Sequence, residues 1–263
     1  MSRLVRELMR RQRSLALFGL LLVALTPVAL GLQHLDSRTL AGVNVWVKPA
    51  KFLFSIGLYA LTMAWFFAYV RPERRGAPML RALVVVLLFS GGFEAAYITL
   101  QGARGLESHF NFSSPLYVTM YALMGLFATL LVGTSLPLAW EIGRRPAPGL
   151  RRDFVAAVVI ALVLTFLLGG GLGGYMSTQH GHAIGAVAGH VPLFGWNRAG
   201  GDLRVAHFLG IHVQQAIPLL AVAVGAAGGG VRWSVLLGGT ALYAGVTIAA
   251  FLQAIAGQAA IPA

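Results

Sequence analysis

Long apolar runs alternate with short polar segments along the whole chain. A helix needs about 20 apolar residues to cross a hydrocarbon core of about 30 Å, and seven runs reach this length. The pattern predicts an all-α membrane protein, a seven-transmembrane helical bundle that forms a single integral membrane domain over residues 1–263. The predicted spans cover residues 14–32, 52–70, 78–100, 115–140, 154–177, 205–227 and 233–257.

The basic residues predict an orientation for these spans. Fourteen of them fall on the side that holds the N-terminus, and six fall on the other side. Because basic residues favour the cytoplasmic face, we expect a cytoplasmic N-terminus and an extracytoplasmic C-terminus in a bacterial inner membrane. The first span follows a charged start, as a signal peptide does. Its apolar run is long and no small-x-small cleavage site follows, so we interpret it as a retained anchor.

Composition supports lipid as the solvent. Hydrophobic residues make up 57% of the chain and charged residues only 11%, against about 25% charged in a soluble domain. The net charge of +12 would by itself suggest nucleic-acid binding. The arginines cluster between apolar runs, however, where they set topology, so the predicted partner is the bilayer and not nucleic acid. The chain has no cysteine, which excludes thiolate ligands.

All seven histidines fall on the predicted outer side of the membrane. Imidazole is a ligand for zinc, copper and iron, so these residues suggest a transition metal such as zinc, or haem, without specifying which. The alternative is that polar residues simply gather in the longer outer loops. The candidate metal ligands are His109, His180, His182, His207 and His212.

The third predicted span carries a polar stripe. Ser90, Glu94, Tyr97 and Gln101 share one face of a helix. Glu94 is the only acidic residue well inside a span, and carboxylates in a bilayer usually face a cavity or a partner. We interpret Glu94 as an acid/base or ligand, with Tyr97 and Gln101 as ligand-binding residues. The alternative is a structural hydrogen bond to a neighbouring helix.

Further candidate ligand-binding residues surround the outer ends of the spans. Lys48 and Lys51 are the only lysines and precede span two, against the positive-inside trend. With Arg104 and Arg204 they form a predicted anion-binding rim, although terminal lysines commonly extend to lipid head groups instead. Asn111 lies in the loop that follows Arg104.

Span six begins with an unusually polar stretch. Asp202 is a plausible N-cap and a candidate ligand-binding residue. His207 and His212 are five residues apart, which separates them by about 140° on a helix and prevents a simple one-face chelate. His207 shares a face with Gln214, and His212 lies near Gln215. We interpret His212, with Glu94, as the candidate catalytic pair, and Gln214 and Gln215 as ligand-binding. Pro218 leaves the carbonyl of Gln214 without its helical hydrogen bond.

No standard catalytic signature is present: HExxH, GxSxG and the phosphate-binding GxxxxGK[ST] are all missing. No span has a lysine in its middle, which argues against a retinal Schiff base. Seven spans with dispersed outer histidines resemble the seven-span zinc hydrolases of the alkaline ceramidase and adiponectin-receptor type. The paired HxxxH signature of those enzymes is missing here, so the resemblance assigns no role to any residue.

Together these patterns predict a polar pocket that opens to the extracytoplasmic side. Spans two, three and six would build it, and the loop over residues 178–204 would cover it. The leading hypothesis is binding of a small molecule, an anion or a metal, with catalysis left open. Three alternatives remain: a proton-coupled membrane transporter, a haem or quinone redox protein, and a non-catalytic lipid-binding or assembly protein. The sequence indicates no oligomeric state.

Overall fold

The computed structural model describes residues 2–179, 181–191 and 194–262. Within these residues, seven helical segments are long and apolar enough to cross a membrane, as predicted. Packing divides the chain into two compact units, residues 1–68 with 72–134 and residues 69–71 with 135–263. The single membrane domain and the orientation stay predictions.

The first unit is built from helices joined by short loops. A 3₁₀ turn, Phe67–Tyr69, extends the third helix, and an antiparallel hairpin of strands β1 (Thr39–Leu40) and β2 (Val43–Asn44) joins the second helix to the third. The helices are α1 (Arg3–Arg11), α2 (Arg13–Leu35), α3 (Val47–Phe66), α4 (Pro78–Arg104) and α5 (Pro115–Gly133).

Asp36 organises the loop between α2 and α3. Its carboxylate accepts hydrogen bonds from the Arg38 guanidinium, at 2.7 and 2.9 Å, and from Trp46 Nε1 at 2.9 Å. These partners hold the pKa of Asp36 well below its usual range. Asn44 Nδ2 donates to the carbonyl of Asp36 at 2.6 Å. The short hairpin is therefore fixed by one carboxylate and one amide.

Helix α3 begins at Val47, earlier than the predicted start at residue 52. Asn44 Oδ1 accepts the N–H of Trp46 at 2.9 Å, and Pro49 lies in the first turn, where a proline removes no helical hydrogen bond. Lys48 and Lys51 consequently project from the first two turns of α3. Helix α4 ends at Gly105, whose left-handed φ of 68° reverses the chain.

The fourth span, predicted over residues 115–140, runs over Pro115–Arg144 but is interrupted at Thr134. The Tyr59 hydroxyl lies 3.1 Å from Thr134 Oγ1 and donates to the Leu131 carbonyl at 3.2 Å. A polar side chain of α3 therefore binds the backbone where the span is interrupted, as membrane helices require.

The second unit contains the remaining helices. The fifth span passes from α-helix to a π-helix, Thr165–Gly170, and back to α-helix. Strands β3 (Ala183–Ile184) and β4 (Gly201–Asp202) pair antiparallel before the sixth span. The helices are α6 (Ser135–Arg144), α7 (Arg152–Leu164), α8 (Gly171–Thr178), α9 (Leu203–Ala223) and α10 (Gly229–Ile255).

Spans five and six cross with their backbones in contact. A Cβ at Gly210 would lie 2.6 Å from the Gly169 nitrogen and 2.7 Å from the Leu168 carbonyl carbon. Small residues allow this approach, and span five carries several glycines at this end. Below the crossing, Ala161, Val213 and Ile217 form part of a fully buried apolar cluster. The apolar pattern of span five does not indicate its π-helix.

A buried ion cluster lies where α7 and α10 begin and α9 ends. Asp153, only 4% exposed, pairs with Arg151 at 3.1 Å and with Arg232 at 3.3 Å. Arg151 also donates to the Ala221 carbonyl, the last turn of α9, at 2.9 Å. The predicted start of span five at residue 154 left this carboxylate out, and the helix in fact begins before it.

We predict that Gly210→Ala destabilises the protein by about 1–3 kcal/mol, because the added methyl group would force apart two backbones. Gly174→Ala is the matched control in the same unit, since a Cβ there meets nothing within 4 Å. That change should be neutral or stabilising by about 0.5–1 kcal/mol. Thermal unfolding in detergent, followed by circular dichroism, measures both. Equal effects of the two substitutions would contradict the close crossing.

Candidate functional site

The polar stripe of span three faces the interior of the first unit. Ser90, Glu94 and Gln101 are each no more than 2% exposed, whereas Tyr97 is half-buried. Gln101 Nε2 donates to the Tyr97 hydroxyl at 3.2 Å and to the Glu107 carbonyl at 3.2 Å. The prediction that these residues share an inward face is confirmed.

Three oxygen atoms on this face have no hydrogen-bond partner among the described residues. They are Ser90 Oγ, Glu94 Oε1 and Gln101 Oε1. An unpartnered buried polar group costs about 1–3 kcal/mol, and membrane interiors offer no bulk water to relieve it. The face is therefore polar and enclosed, and it has hydrogen-bonding capacity that the described residues do not fill.

Lys48 lies beside this face and contacts the loop that follows α4. Its Nζ is 3.3 Å from His109 Nδ1, and Ser108 Oγ is 3.2 Å from the same nitrogen. Because an ammonium group only donates, His109 Nδ1 accepts and the ring proton resides on Nε2. The charge of Lys48 also acts on Glu94. Three titratable side chains from α3, α4 and the loop therefore interact in succession.

Aromatic side chains surround the imidazole. The His109 ring centroid is 5.9 Å from that of Phe52 and 6.3 Å from that of Tyr121. The next residue, Phe110, has a left-handed φ of 59°, and its ring contacts that of Tyr121 in a tilted arrangement with the centroids 5.2 Å apart. A non-glycine residue in this region stores about 1 kcal/mol and is held only by its surroundings. These aromatic contacts hold the loop in the position where His109 meets Lys48.

Burial lowers the pKa of His109 well below its ordinary value, and the neighbouring Lys48 ammonium lowers it further. His109 is consequently neutral at physiological pH. In that state it offers a donor at Nε2 while its Nδ1 lone pair is occupied by Lys48 and Ser108.

The other predicted ligand-binding residues of this unit lie at its margin. Asn111 fixes its own loop, because its Oδ1 accepts from Ser113 Oγ at 2.7 Å and its Nδ2 donates to the Glu107 carbonyl at 3.3 Å. Arg104 is exposed at the end of α4, and Lys51 is half-buried on α3. The predicted anion-binding rim, which also includes Arg204 of the second unit, stays a prediction.

In the second unit, Asp202 organises the loop that precedes α9. As predicted, it caps α9, accepting the N–H of Arg204 at 3.0 Å. The Arg204 guanidinium binds both carboxylate oxygens, at 2.9 and 2.6 Å, and the Asn197 N–H adds a bond of 2.9 Å. Burial by itself would raise the pKa of Asp202, but these donors outweigh it and hold the pKa below its usual value.

His182 belongs to the same cluster, with Nδ1 3.8 Å from Asp202 Oδ1. The loop backbone is fixed by Asn197, which binds the Ala186 carbonyl at 2.7 Å. Asp202 and Arg204 therefore have structural partners that account for their presence. His180, the other histidine of the HGH sequence, lies outside the described residues.

His207 packs into the space left by Gly173 of span five. Its Nδ1 donates to the Gly169 carbonyl of the π-helix at 2.9 Å, and a Cβ at Gly173 would lie 2.8 Å from the imidazole Cε1. The donated proton fixes the tautomer and leaves the lone pair on Nε2. The contact explains why Gly173 and His207 face each other across this pair of spans.

His212 lies farther along α9, on a different face. Its Nδ1 is 3.3 Å from Gln215 Oε1, which confirms their predicted proximity, and its ring is 4.3 Å from that of Phe208. Gln214 is fully buried, and neither polar atom of its side chain has a hydrogen-bond partner among the described residues. Pro218 is accommodated within a continuous helix.

The candidate residues therefore fall into separate clusters. Glu94 and His109 belong to the first unit, while His207 and His212 belong to the second. In the parts of the chain that are described, no three His, Asp or Glu side chains gather as a metal site. The predicted metal site consequently has no ligand set there, and the pairing of Glu94 with His212 stays a prediction.

Sequence reasoning missed the contact that defines the first-unit cluster. Lys48 and His109 are 61 residues apart, and neither belongs to a motif that would connect them. It also missed Ser108 and the flanking Phe52 and Tyr121. The only available signal was the departure of Lys48 from the positive-inside trend.

No protein-family model, no curated protein and no solved structure matches this chain.

The depressed pKa of His109 predicts an acid-sensitive fold. The unfolded chain takes up the proton near pH 6.5, whereas the folded protein resists it until a much lower pH. The contribution of neutral His109 to stability is therefore fully present above about pH 6.5 and is lost as pH falls, by at most about 1.4 kcal/mol per pH unit.

Unfolding midpoints in detergent between pH 8 and pH 5 test this expectation. His109→Asn keeps an acceptor near the Nδ1 position but does not titrate, so it should show a shallower loss of stability. All other side chains are the same in both proteins, so their contributions cancel in the comparison. Parallel pH profiles for the two proteins would refute the assignment.

Proposed function

We propose that this multi-pass membrane protein binds a small polar molecule within its first unit. The observation that carries the proposal is the buried face of α4, beside the Lys48–His109 contact, where Ser90 Oγ, Glu94 Oε1 and Gln101 Oε1 have no hydrogen-bond partner among the described residues. Intramembrane ionisable groups are costly and are typically retained at binding or transport sites.

The chemistry of the face favours a ligand that donates hydrogen bonds. The unpartnered atoms of Glu94 and Gln101 are acceptors, and Lys48 adds a cationic donor for an acceptor on the same molecule. Amines, alcohols and zwitterions have such groups, whereas purely apolar molecules do not. Glu94 would act as the ionisable group, with Lys48 and His109 as its partners and catalysis left open.

The proposed location follows from charge distribution along the chain. Lys48 and His109 both lie on the side that holds fewer basic residues, six against fourteen. The positive-inside rule therefore favours a site near the extracytoplasmic face of a bacterial inner membrane.

Ligand binding can be tested with the full-length protein in lipid nanodiscs. Thermal unfolding would be measured with ammonium, methylamine, glycerol and glycine as probes. A probe at ten times its Kd should stabilise the protein by about 1.4 kcal/mol. Glu94→Gln and Gln101→Leu should each lose most of that stabilisation, because they change or remove an acceptor on the face.

The control is Glu73→Gln, the same substitution at an exposed carboxylate of the first unit. It should respond to the probes as the unaltered protein does. The proposal fails if no probe stabilises the unaltered protein, or if Glu94→Gln and Gln101→Leu both respond fully.

A second candidate function is proton-coupled transport. It is favoured by the succession of titratable groups from Glu94 through Lys48 to His109, because such chains commonly carry protons in membrane proteins. Here the same groups would bind and release a proton during transport.

Proteoliposomes with an internal pH-sensitive dye test this candidate after an imposed pH step. We expect Glu94→Gln to reduce proton uptake at least tenfold, because an amide cannot exchange a proton at neutral pH, while Glu94→Asp retains measurable uptake. Uptake that survives in Glu94→Gln eliminates proton coupling through this residue but leaves ligand binding to be judged by the unfolding measurements.

A further inference from the structure

A groove on the outside of the second unit is independent of the site proposed above. It runs between α6 and α7, has a volume of about 510 Å³ and is lined almost wholly by apolar atoms. Its walls include Leu136, Trp140, Gly143, Val159 and Val163. Gly143 has no side chain to enter the groove, and a Cβ there would lie 3.5 Å from Val159 on the facing helix.

One end of the groove is cationic. Arg144, the last residue of α6, lines it and places its guanidinium carbon 4.7 Å from the Trp140 ring centroid. Trp140 is itself 56% exposed, and an exposed tryptophan at a span end is typical of the membrane interface. Stacking on the indole holds the guanidinium in place without neutralising it.

The neighbouring basic residues divide into two groups. Arg145 pairs with Glu141 and Arg151 pairs with Asp153. Arg144 and Arg152 are exposed and have no carboxylate partner among the described residues. These two arginines flank the loop that joins α6 to α7, and Arg144 lines the end of the apolar groove.

We propose that this groove binds an anionic phospholipid, with an acyl chain along α6 and α7 and the phosphodiester on Arg144. The apolar walls match the chain, the guanidinium matches the phosphate in charge and geometry, and the indole lies at the level of the glycerol backbone. Arg152 supplies a second cation for the head group. Zwitterionic lipids have the same chains but a compensated head group, so they bind this groove less tightly.

Native mass spectrometry of the delipidated full-length protein tests the assignment. Dioleoyl phosphatidylglycerol and dioleoyl phosphatidylcholine would be titrated separately, and phosphatidylglycerol should bind more tightly. Arg144→Gln should weaken phosphatidylglycerol binding about fivefold, since one basic residue near an anionic lipid contributes about that factor, and should leave phosphatidylcholine unchanged. Arg144→Lys should retain most of the preference.

Two controls separate the head group from the chain. Arg81→Gln removes an exposed arginine of the first unit and should leave both lipids unaffected. Gly143→Phe fills the groove while keeping Arg144, and should weaken both lipids. Soluble glycerophosphoglycerol, which has the head group without chains, should not compete.

The assignment is overturned if the two lipids bind equally to the unaltered protein, or if Arg144→Gln behaves as Arg81→Gln does. Competition by glycerophosphoglycerol would equally overturn it, because binding would then require no acyl chain. Circular dichroism melting establishes that each variant is folded before lipid is added.

Discussion

A carboxylate removed from water persists only where a cation or several N–H donors surround it. This constraint governs both units of the molecule. Asp153 joins two arginines where α7 and α10 begin and α9 ends, and Asp202 fixes the loop that precedes α9 through Arg204. Glu94 is equally buried but has no arginine, and one of its oxygens has no hydrogen-bond partner among the described residues. Glu94 differs from Asp153 and Asp202 because it has no arginine partner in the described parts of the chain, and this difference distinguishes it more than its place within a span does.

The helical fold follows from the sequence because lipid imposes a length and a composition on every span. Local signals with a defined partner were equally predictable: Asp202 caps α9, and His212 contacts Gln215. Contacts between distant segments were not, because their partners share no periodicity. The Lys48–His109 contact depends on where α3 begins and on how the loop after Gly105 turns back. Both are properties of backbone geometry that hydropathy does not encode.

Histidines illustrate the same limit. Their concentration on one side of the chain suggested a shared metal, yet the described ones have different partners: Lys48 for His109, Asp202 for His182 and the Gly169 carbonyl for His207. Residue type and membrane side are insufficient to indicate a common site. Histidines share a site only where the rotation of their helices directs the side chains toward one point. That rotation is set by packing against neighbouring helices.

The π-helix of span five provides such a rotation. A π turn accommodates one more residue than an α turn, so the segment after it is rotated by about 100° relative to an uninterrupted α-helix. Thr165–Gly170 therefore determines which face of Gly171–Thr178 meets α9, and it is this face that presents Gly173 to the imidazole of His207. The extra residue thus sets the rotation of Gly171–Thr178 about the axis of span five. Span five therefore consists of two helical segments, and the rotation of the second relative to the first depends on the number of residues at their junction. Deleting one residue there would turn Gly171–Thr178 to a different face and change its contacts, while the segment before the junction would keep its own.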